Sequence, residues 1–196
     1  HVPARSELVI EGEVLPFERL EEGPFGEYTG YRAADRLPRP VYKVRAITHR
    51  NNPIMTHSCP GVPVDDVAVA MPLSKSANLL SYLRRRFPVT AVHVPPQAVT
   101  HLTVVSTKVP FMNYAKHLAH AIWGSPFGRS SYYVMIVEDD VDIFDFGQVL
   151  WALTTRCHPD RGILKLPNAP GMQLVPFCNQ YERNNSIAAY VLLDCT

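Results

Sequence analysis

The grain of the chain changes near residue 72, and that change sets what it can fold into. Before Pro72, runs with strand character at 7–14, 27–31, 41–49 and 54–58 are each bounded by Gly or Pro turn formers. After it, apolar residues recur at helical spacing: Ala77, Leu80, Leu83 and Phe87 mark a helix over 74–87 that Pro88 ends. Strands then follow at 91–94, 101–107 and 132–137, and a last short one at 163–166. Helices are expected at 113–123 and at 146–155, the latter with Trp151 on its apolar face. Helices alternating with strands predict an α/β layer. The expected fold class is therefore α+β overall, a β-rich piece over 1–72 followed by an α/β domain over 73–196.

At 196 residues the chain can bury one sizeable core or two small ones. With 19 basic and 18 acidic residues its net charge is +1, which offers no electrostatic reason to expect nucleic acid or an anionic membrane as partner. The basic run Arg84-Arg85-Arg86 closes the first expected helix, where cations suit the helix dipole. No apolar stretch approaches a membrane span and the first residues lack signal-peptide regions, so a soluble cytoplasmic protein is expected. Cys59, Cys157, Cys178 and Cys195 form no Cys-x-x-Cys pair, which argues against structural zinc and a disulfide framework. His117 and His120 lie three apart on an expected helix, where amphipathic packing explains them as well as a metal would. Neither a Walker loop nor a Gly-x-Gly-x-x-Gly is present.

The chemistry concentrates at residues 22–31, Glu-Gly-Pro-Phe-Gly-Glu-Tyr-Thr-Gly-Tyr. In an extended strand, residues an odd number apart face opposite ways, so Glu22 and Glu27 converge only if the backbone turns between them. Gly23, Pro24 and Gly26 supply that turn and leave room for a ligand to approach the backbone. Two carboxylates pressed together do not both ionise cheaply, and the one that keeps its proton is a proton donor. A surface hairpin with two solvated glutamates accounts for the same residues.

This segment resembles the signature of the UbiD-type decarboxylases, which use prenylated FMN to add or remove carbon dioxide on unsaturated and aromatic acids. The likeness continues, in the family's order, through 40–54 (Pro-Val-Tyr-Lys-Val-Arg-Ala-Ile-Thr-His-Arg-Asn-Asn-Pro-Ile), 137–143 (Val-Glu-Asp-Asp-Val-Asp-Ile) and 149–159 (Val-Leu-Trp-Ala-Leu-Thr-Thr-Arg-Cys-His-Pro). The resemblance implies a split β-barrel carrying the flavin site joined to a C-terminal α/β domain, so that 1–72 would be a remnant of the barrel. It also implies that the chain starts at the later barrel strands and stops at Leu-Asp-Cys-Thr, short of a terminal helix. A fragment, or one piece of a split enzyme, inactive alone, is the expectation. The remainder would carry the arginine that pairs with the catalytic glutamates, most flavin contacts, and the ligands of a divalent cation, Mn2+ or Mg2+, beside the flavin phosphate.

By the same resemblance Glu27 is the general acid that protonates the carbon left when carbon dioxide departs, and Glu22 completes its proton network. Tyr28, Val67, Met71, Met172 and Leu174 would line the substrate pocket, although each is equally explained as core packing. That mostly apolar set suits an aromatic or heteroaromatic acid better than a sugar. Arg129 is the candidate for the flavin phosphate, in a stretch, Gly-Ser-Pro-Phe-Gly-Arg-Ser-Ser, that departs from the family's pattern. Arg156, through its main-chain oxygen, and Asp194 would help hold a monovalent cation, K+, or else form an ion pair or loop anchor. Implied partners are a small carboxylic acid, the N-terminal remainder of the enzyme, further copies in a dimer or hexamer, and a flavin prenyltransferase that supplies the cofactor. Two rival readings stand beside this one. Asp140-Val-Asp142 resembles the Asp-x-Asp of metal-dependent glycosyltransferases, although the same acids can cap the following turn and the helix near Asp145. The chain can also be a non-catalytic assembly module of a split decarboxylase.

Overall fold

A computed structural model describes residues 1–32, 35–62 and 64–196. The β-rich piece is a single antiparallel ribbon of β1 (Leu8–Glu22) and β2 (Leu37–His49). Both strands are longer than the sequence suggests, because in a two-stranded ribbon every strand is an edge. Pro38 and Pro40 therefore sit opposite Glu21 and Arg19 at no cost to a second neighbour. Register shifts after Glu11 and between Val14 and Arg19 absorb Pro16 and a left-handed Phe17 (φ 64) as bulges. Cross-strand ion pairs line the ribbon, Glu13 with Arg45, Glu18 with Lys43 and Glu7 with Arg50, all largely exposed. Ile10, Val14, Leu20, Tyr42, Val44 and Ile47 are exposed as well. The strands expected at 27–31 and 54–58 do not form: the first is a tight turn with an isolated bridge from Gly26 to Arg32, and the second has no regular structure.

The remainder is a mixed five-stranded sheet in the order β3-β4-β5-β7-β6. β3 (Val89–His93) pairs antiparallel with β4 (Leu102–Thr107); β5 (Tyr133–Glu138) runs parallel to β4 and to β7 (Ile187–Cys195); β6 (Ile163–Pro170) closes the far edge antiparallel. β7 was not expected from the sequence, yet it is an inner strand. Its run Ile-Ala-Ala-Tyr-Val-Leu-Leu-Asp-Cys is apolar on both faces, as a covered strand should be, and carries little alternation to reveal it. β5 shows the layering: Val134 and Ile136 pack with α2 (Tyr114–Trp123) and the end of α1 (Asp66–Leu83), whereas Met135 and Val137 pack with Val149 and Ala152 of α3 (Phe146–Arg156). A short α4 (Gln180–Asn185) precedes β7.

Two helices differ from expectation. α1 starts at Asp66, not Ser74, and residue 72 lies inside it. Asp65 caps its first turn by accepting from the Ala68 N–H (2.7 Å), and the buried Pro72 packs on the core face. That face is Ala68, Pro72, Leu79 and Leu83, so the expected Ala77 is exposed. In α3 the buried face is Val149 and Ala152, while Trp151 is half out in solvent beneath the Arg156 guanidinium (4.9 Å from the ring centre).

Candidate active site

β1 ends at Glu22, where Gly23, at φ 85, and a cis peptide to Pro24 redirect the chain. Glu27 then opens a tight turn: its N–H donates to the Tyr31 carbonyl (3.0 Å) and its carbonyl accepts from the Gly30 N–H (2.9 Å). The two bends set Glu22 and Glu27 on one cleft of about 180 Å³, shared with Phe25, Asp35, Arg39 and Leu174. Glu27 is half-buried and Glu22 exposed. Arg39 of β2 brings its Nε to 3.8 Å from Glu22. Neither Arg39 nor Asp35 was singled out in the sequence, but ribbon pairing points to the first, since Arg39 opposes Leu20 two residues before Glu22. A Cβ at Gly26 would meet nothing within 4 Å, so a flat ring can approach the backbone between the two acids.

Leu174 also lines a larger cavity of about 690 Å³, whose walls include Tyr28, Met71, Phe127 and Met172. Four of the five expected pocket residues are thus brought together; Val67, on the first turn of α1, is not on this wall. α1 contributes the cavity face of Ala70, Met71, Ser74, Lys75 and Asn78, the i, i+3, i+4 stripe beside its core face. Met172 and Leu174 follow β6 on a loop strapped by two arginines. Arg129 donates to the Gly171 carbonyl (3.0 Å), and Arg183 donates to the carbonyls of Val175 and Pro176. Gly171 is required there because a Cβ would stand 2.7 Å from the Ile187 carbonyl oxygen.

The polar end of this cavity escaped the sequence reading. Lys75 donates from Nζ to the Thr100 carbonyl (2.6 Å) and to Ser130 Oγ (2.9 Å). Burial pulls its pKa from 10.5 down to about 7. Beside it, His101 hydrogen-bonds through Nε2 to the Tyr28 hydroxyl (3.2 Å) and packs edge-on against Tyr132. Burial first, and then the charge of Lys75, push the His101 pKa down to about 4, so its ring is neutral at pH 7. Tyr28 is raised by burial and by Glu27, and keeps its proton. A lysine at i+4 from Met71 was the available signal; its partners, 25 and 55 residues away, were not visible.

The remaining expected site residues serve elsewhere. Thr100 and Ser130 precede β4 and β5, so the cavity lies at the amino ends of these parallel strands, whereas the acids 138–142 follow the carboxyl end of β5, ~20 Å away by strand length. There Arg156 grips Asp140 with both Nη atoms (2.9 and 2.6 Å) and holds its carboxyl below the usual range. Asp142 accepts from the Phe144 N–H (2.9 Å) and Asp145 from the Gly147 N–H (2.8 Å), capping the turn and α3. Asp194 accepts from Thr196 Oγ1 (2.7 Å), while its own N–H donates to the Gly162 carbonyl (2.8 Å). Among the described residues no group of three or more His, Cys, Asp or Glu side chains is placed to hold a metal, and no helix is long and apolar enough to cross a membrane.

Comparison with known proteins agrees with this architecture. Residues 1–63 match the 3-octaprenyl-4-hydroxybenzoate carboxy-lyase Rift-related domain, and residues 68–195 match the C-terminal domain of the same family. The chain is 40% identical over 183 residues to a phenolic acid decarboxylase of Sedimentibacter hydroxybenzoicus, covering 91% of this chain and 37% of that protein. It is 33% identical over 198 residues to a phenolic acid decarboxylase of Bacillus subtilis, covering 100% of this chain and 41% of that protein. Among solved structures, the open form of the S. hydroxybenzoicus vanillic acid decarboxylase superposes with a TM-score of 0.86 at 35% identity, over 100% of this chain and 41% of that one. The UbiD-class enzyme HmfF of Pelotomaculum thermopropionicum, in complex with FMN, gives 0.78 at 31% identity, with 100% and 42% covered. The chain therefore spans about two fifths of the length of these relatives. Two domain matches in the family's order, together covering nearly the whole chain, and a fold shared with its solved members establish that this chain belongs to the UbiD carboxy-lyase family.

Proposed function

We propose that this chain supplies the proton donor and one wall of the substrate pocket in a larger decarboxylase that acts reversibly and without net oxidation on an aromatic, heteroaromatic or α,β-unsaturated acid. The observation that carries the reading is the junction of two spaces: the Glu22–Glu27 cleft and the apolar cavity share Leu174, and Tyr28 of the cavity follows Glu27 directly. Names of relatives as phenolic acid decarboxylases favour an aromatic acid. Prenylated FMN, reported for an evolved dimeric HmfF, supplies when bound the electron sink for loss of carbon dioxide.

Glu27, half-buried in the smaller cleft, donates the proton to the carbon that loses its carboxyl group, and Glu22 and Asp35 replenish it from the solvent side, with Arg39 as the fixed positive charge beside Glu22. Tyr28, Met71, Met172 and Leu174 hold the ring of the acid and exclude water. The remainder of the protein covers the exposed apolar residues of the ribbon and, with them, contributes most cofactor contacts, Mn2+ or Mg2+, and K+. Arg129 belongs to this proposal as a secondary contact only, since its guanidinium already supports the loop at Gly171. The division between the β-rich piece and the α/β domain then falls ahead of α1, a few residues before the expected 72, and association of copies in a dimer or hexamer completes the assembly.

The test is Glu27→Gln in the full-length protein produced with a flavin prenyltransferase. Turnover of a panel of aromatic acids should fall by about 10²- to 10⁴-fold while flavin content stays at the wild-type level. Turnover at the wild-type rate would remove Glu27 from the reaction.

A further inference from the structure

Lys75 has no carboxylate partner among the described residues and stands on the wall of the cavity of about 690 Å³. An ammonium group has three N–H donors. Two are committed, to the Thr100 carbonyl and to Ser130 Oγ, and the third has no acceptor among the described residues. The acceptor from Thr100 is held in place by unusual backbone. Val99 and Thr100 both lie in the left-handed region, at φ 41 and 77, and both are β-branched, a conformation such residues adopt only when the surroundings enforce it. Thr100 is buried, and its carbonyl is thereby aimed at the lysine and away from the strand ladder that begins at Leu102. Ser130 comes from the other side, at the end of the loop that leads into β5.

We infer that Lys75 is a specificity-determining anchor whose free N–H binds an oxygen substituent on the ring of the acid, at the polar end of the cavity. This rests on the proposed decarboxylase reading for the orientation of the ligand. The rest of the wall explains why the lysine dominates selection. Met71, Phe127, Met172 and Leu174 offer shape without direction; the neutral polar groups Ser74 and Asn78 of α1 are bonded to each other, Asn78 donating to the Ser74 carbonyl (2.9 Å); and His101, neutral and already bonded to Tyr28, brings no charge. The one charged side chain on this wall among the described residues discriminates strongly, because a ring that lacks the matching oxygen leaves the ammonium unsolvated on that side. A hydroxyl group suits the donor best: it accepts from a charged lysine, and it donates to the amine once the lysine has lost its proton. A hydroxylated ring is what the relatives' name, phenolic acid decarboxylase, already describes; the inference concerns the lysine that selects it.

The experiment uses the full-length flavin-loaded protein and reads equilibrium binding, which does not depend on turnover. Dissociation constants of 2-, 3- and 4-hydroxybenzoate are each compared with that of benzoate by calorimetry, for the wild type, Lys75→Met, Lys75→Arg and Ser130→Ala, with flavin content read from absorbance. The wild type should prefer at least one hydroxylated isomer by roughly tenfold or more. Lys75→Met should bring that ratio close to one, Lys75→Arg should keep part of it, and Ser130→Ala, which leaves the fold's apolar contacts intact, should lower it. No preference in the wild type, or an undiminished ratio in both Lys75→Met and Ser130→Ala, overturns the assignment. Flavin content that drops in Lys75→Met overturns it too, by giving the ammonium to the cofactor phosphate. A wild type that shows the binding preference but decarboxylates none of the isomers defeats the proposed function and leaves the lysine's role standing.

Discussion

Lys75 should lose its proton near neutrality, and the folded protein should gain stability as the pH is raised through that loss. Burial is the cause of the shift from 10.5 to about 7. Below about pH 7 the amine is charged in both the folded and unfolded chain, and the folded state bears the whole cost of partial dehydration. Above about pH 10.5 it is neutral in both and the cost is gone. Between the two, the unfolded chain holds a proton that the folded chain has shed, so the unfolding free energy climbs with pH, by at most ~1.4 kcal/mol per pH unit. The full shift would amount to ~5 kcal/mol. Lys75 is only half-buried and keeps two hydrogen bonds, so solvent screening reduces the expected gain to ~2 kcal/mol. Two measurements on the full-length protein check this. Competitive acetylation followed by mass spectrometry should give Lys75 a half-point near pH 7. Urea unfolding at about pH 6, 8 and 9.5 should show a rise in the wild type that Lys75→Met lacks. A half-point for Lys75 above about pH 9, or identical pH slopes in the two proteins, would refute the reasoning.

Two further substitutions probe how the cavity is built. At Gly128 a Cβ would stand 1.8 Å from the Ile122 carbonyl oxygen, so Gly128→Ala must displace backbone on the loop that carries Phe127 and Ser130; a loss of ~3 kcal/mol or more, with weaker aromatic-acid binding, is expected, and a melting temperature unchanged within about a degree would disprove it. Leu118, fully buried on the α2 face against the sheet, should cost ~3 kcal/mol as Leu118→Ala in urea unfolding, whereas a loss below about 1 kcal/mol would mean that α2 does not seal this core.

The local elements were readable where one short-range signal dominates. α2 and β4 have their expected limits to within a residue, because an apolar stripe or an apolar alternation is set by a helix or strand period inside a dozen residues. α1 starts eight residues before the expected 74, because the Asp65 cap and the burial of Ala68 and Pro72 on the core side carry the helix through a proline near its start. β7 was missed together with α4, although Asn179 and Glu182 spell a capping box: the Asn179 N–H donates to Glu182 (2.7 Å) and the Glu182 N–H to Asn179 (2.9 Å). Recognising that helix start would have left 187–195 to be a strand. Within the site, Glu22, Glu27 and four pocket residues came from the resemblance of short blocks, and no periodicity argument would have joined residue 28 to residues 71 and 172.

The order of residues alone decided the Gly-Pro-Phe-Gly corner, the α/β alternation and the presence of two acids five apart, since each depends on backbone preferences that act within a few bonds of their source. Packing alone decided that Arg39 would face Glu22, that Asp140 would be spent on Arg156, and that the carbonyl of Thr100 and the hydroxyl of Ser130 would close around Lys75. Those meetings join segments tens of residues apart, and their geometry is set by how helices seat on a sheet. A charge's environment, and hence its chemistry, exists only once the chain has been brought together around it.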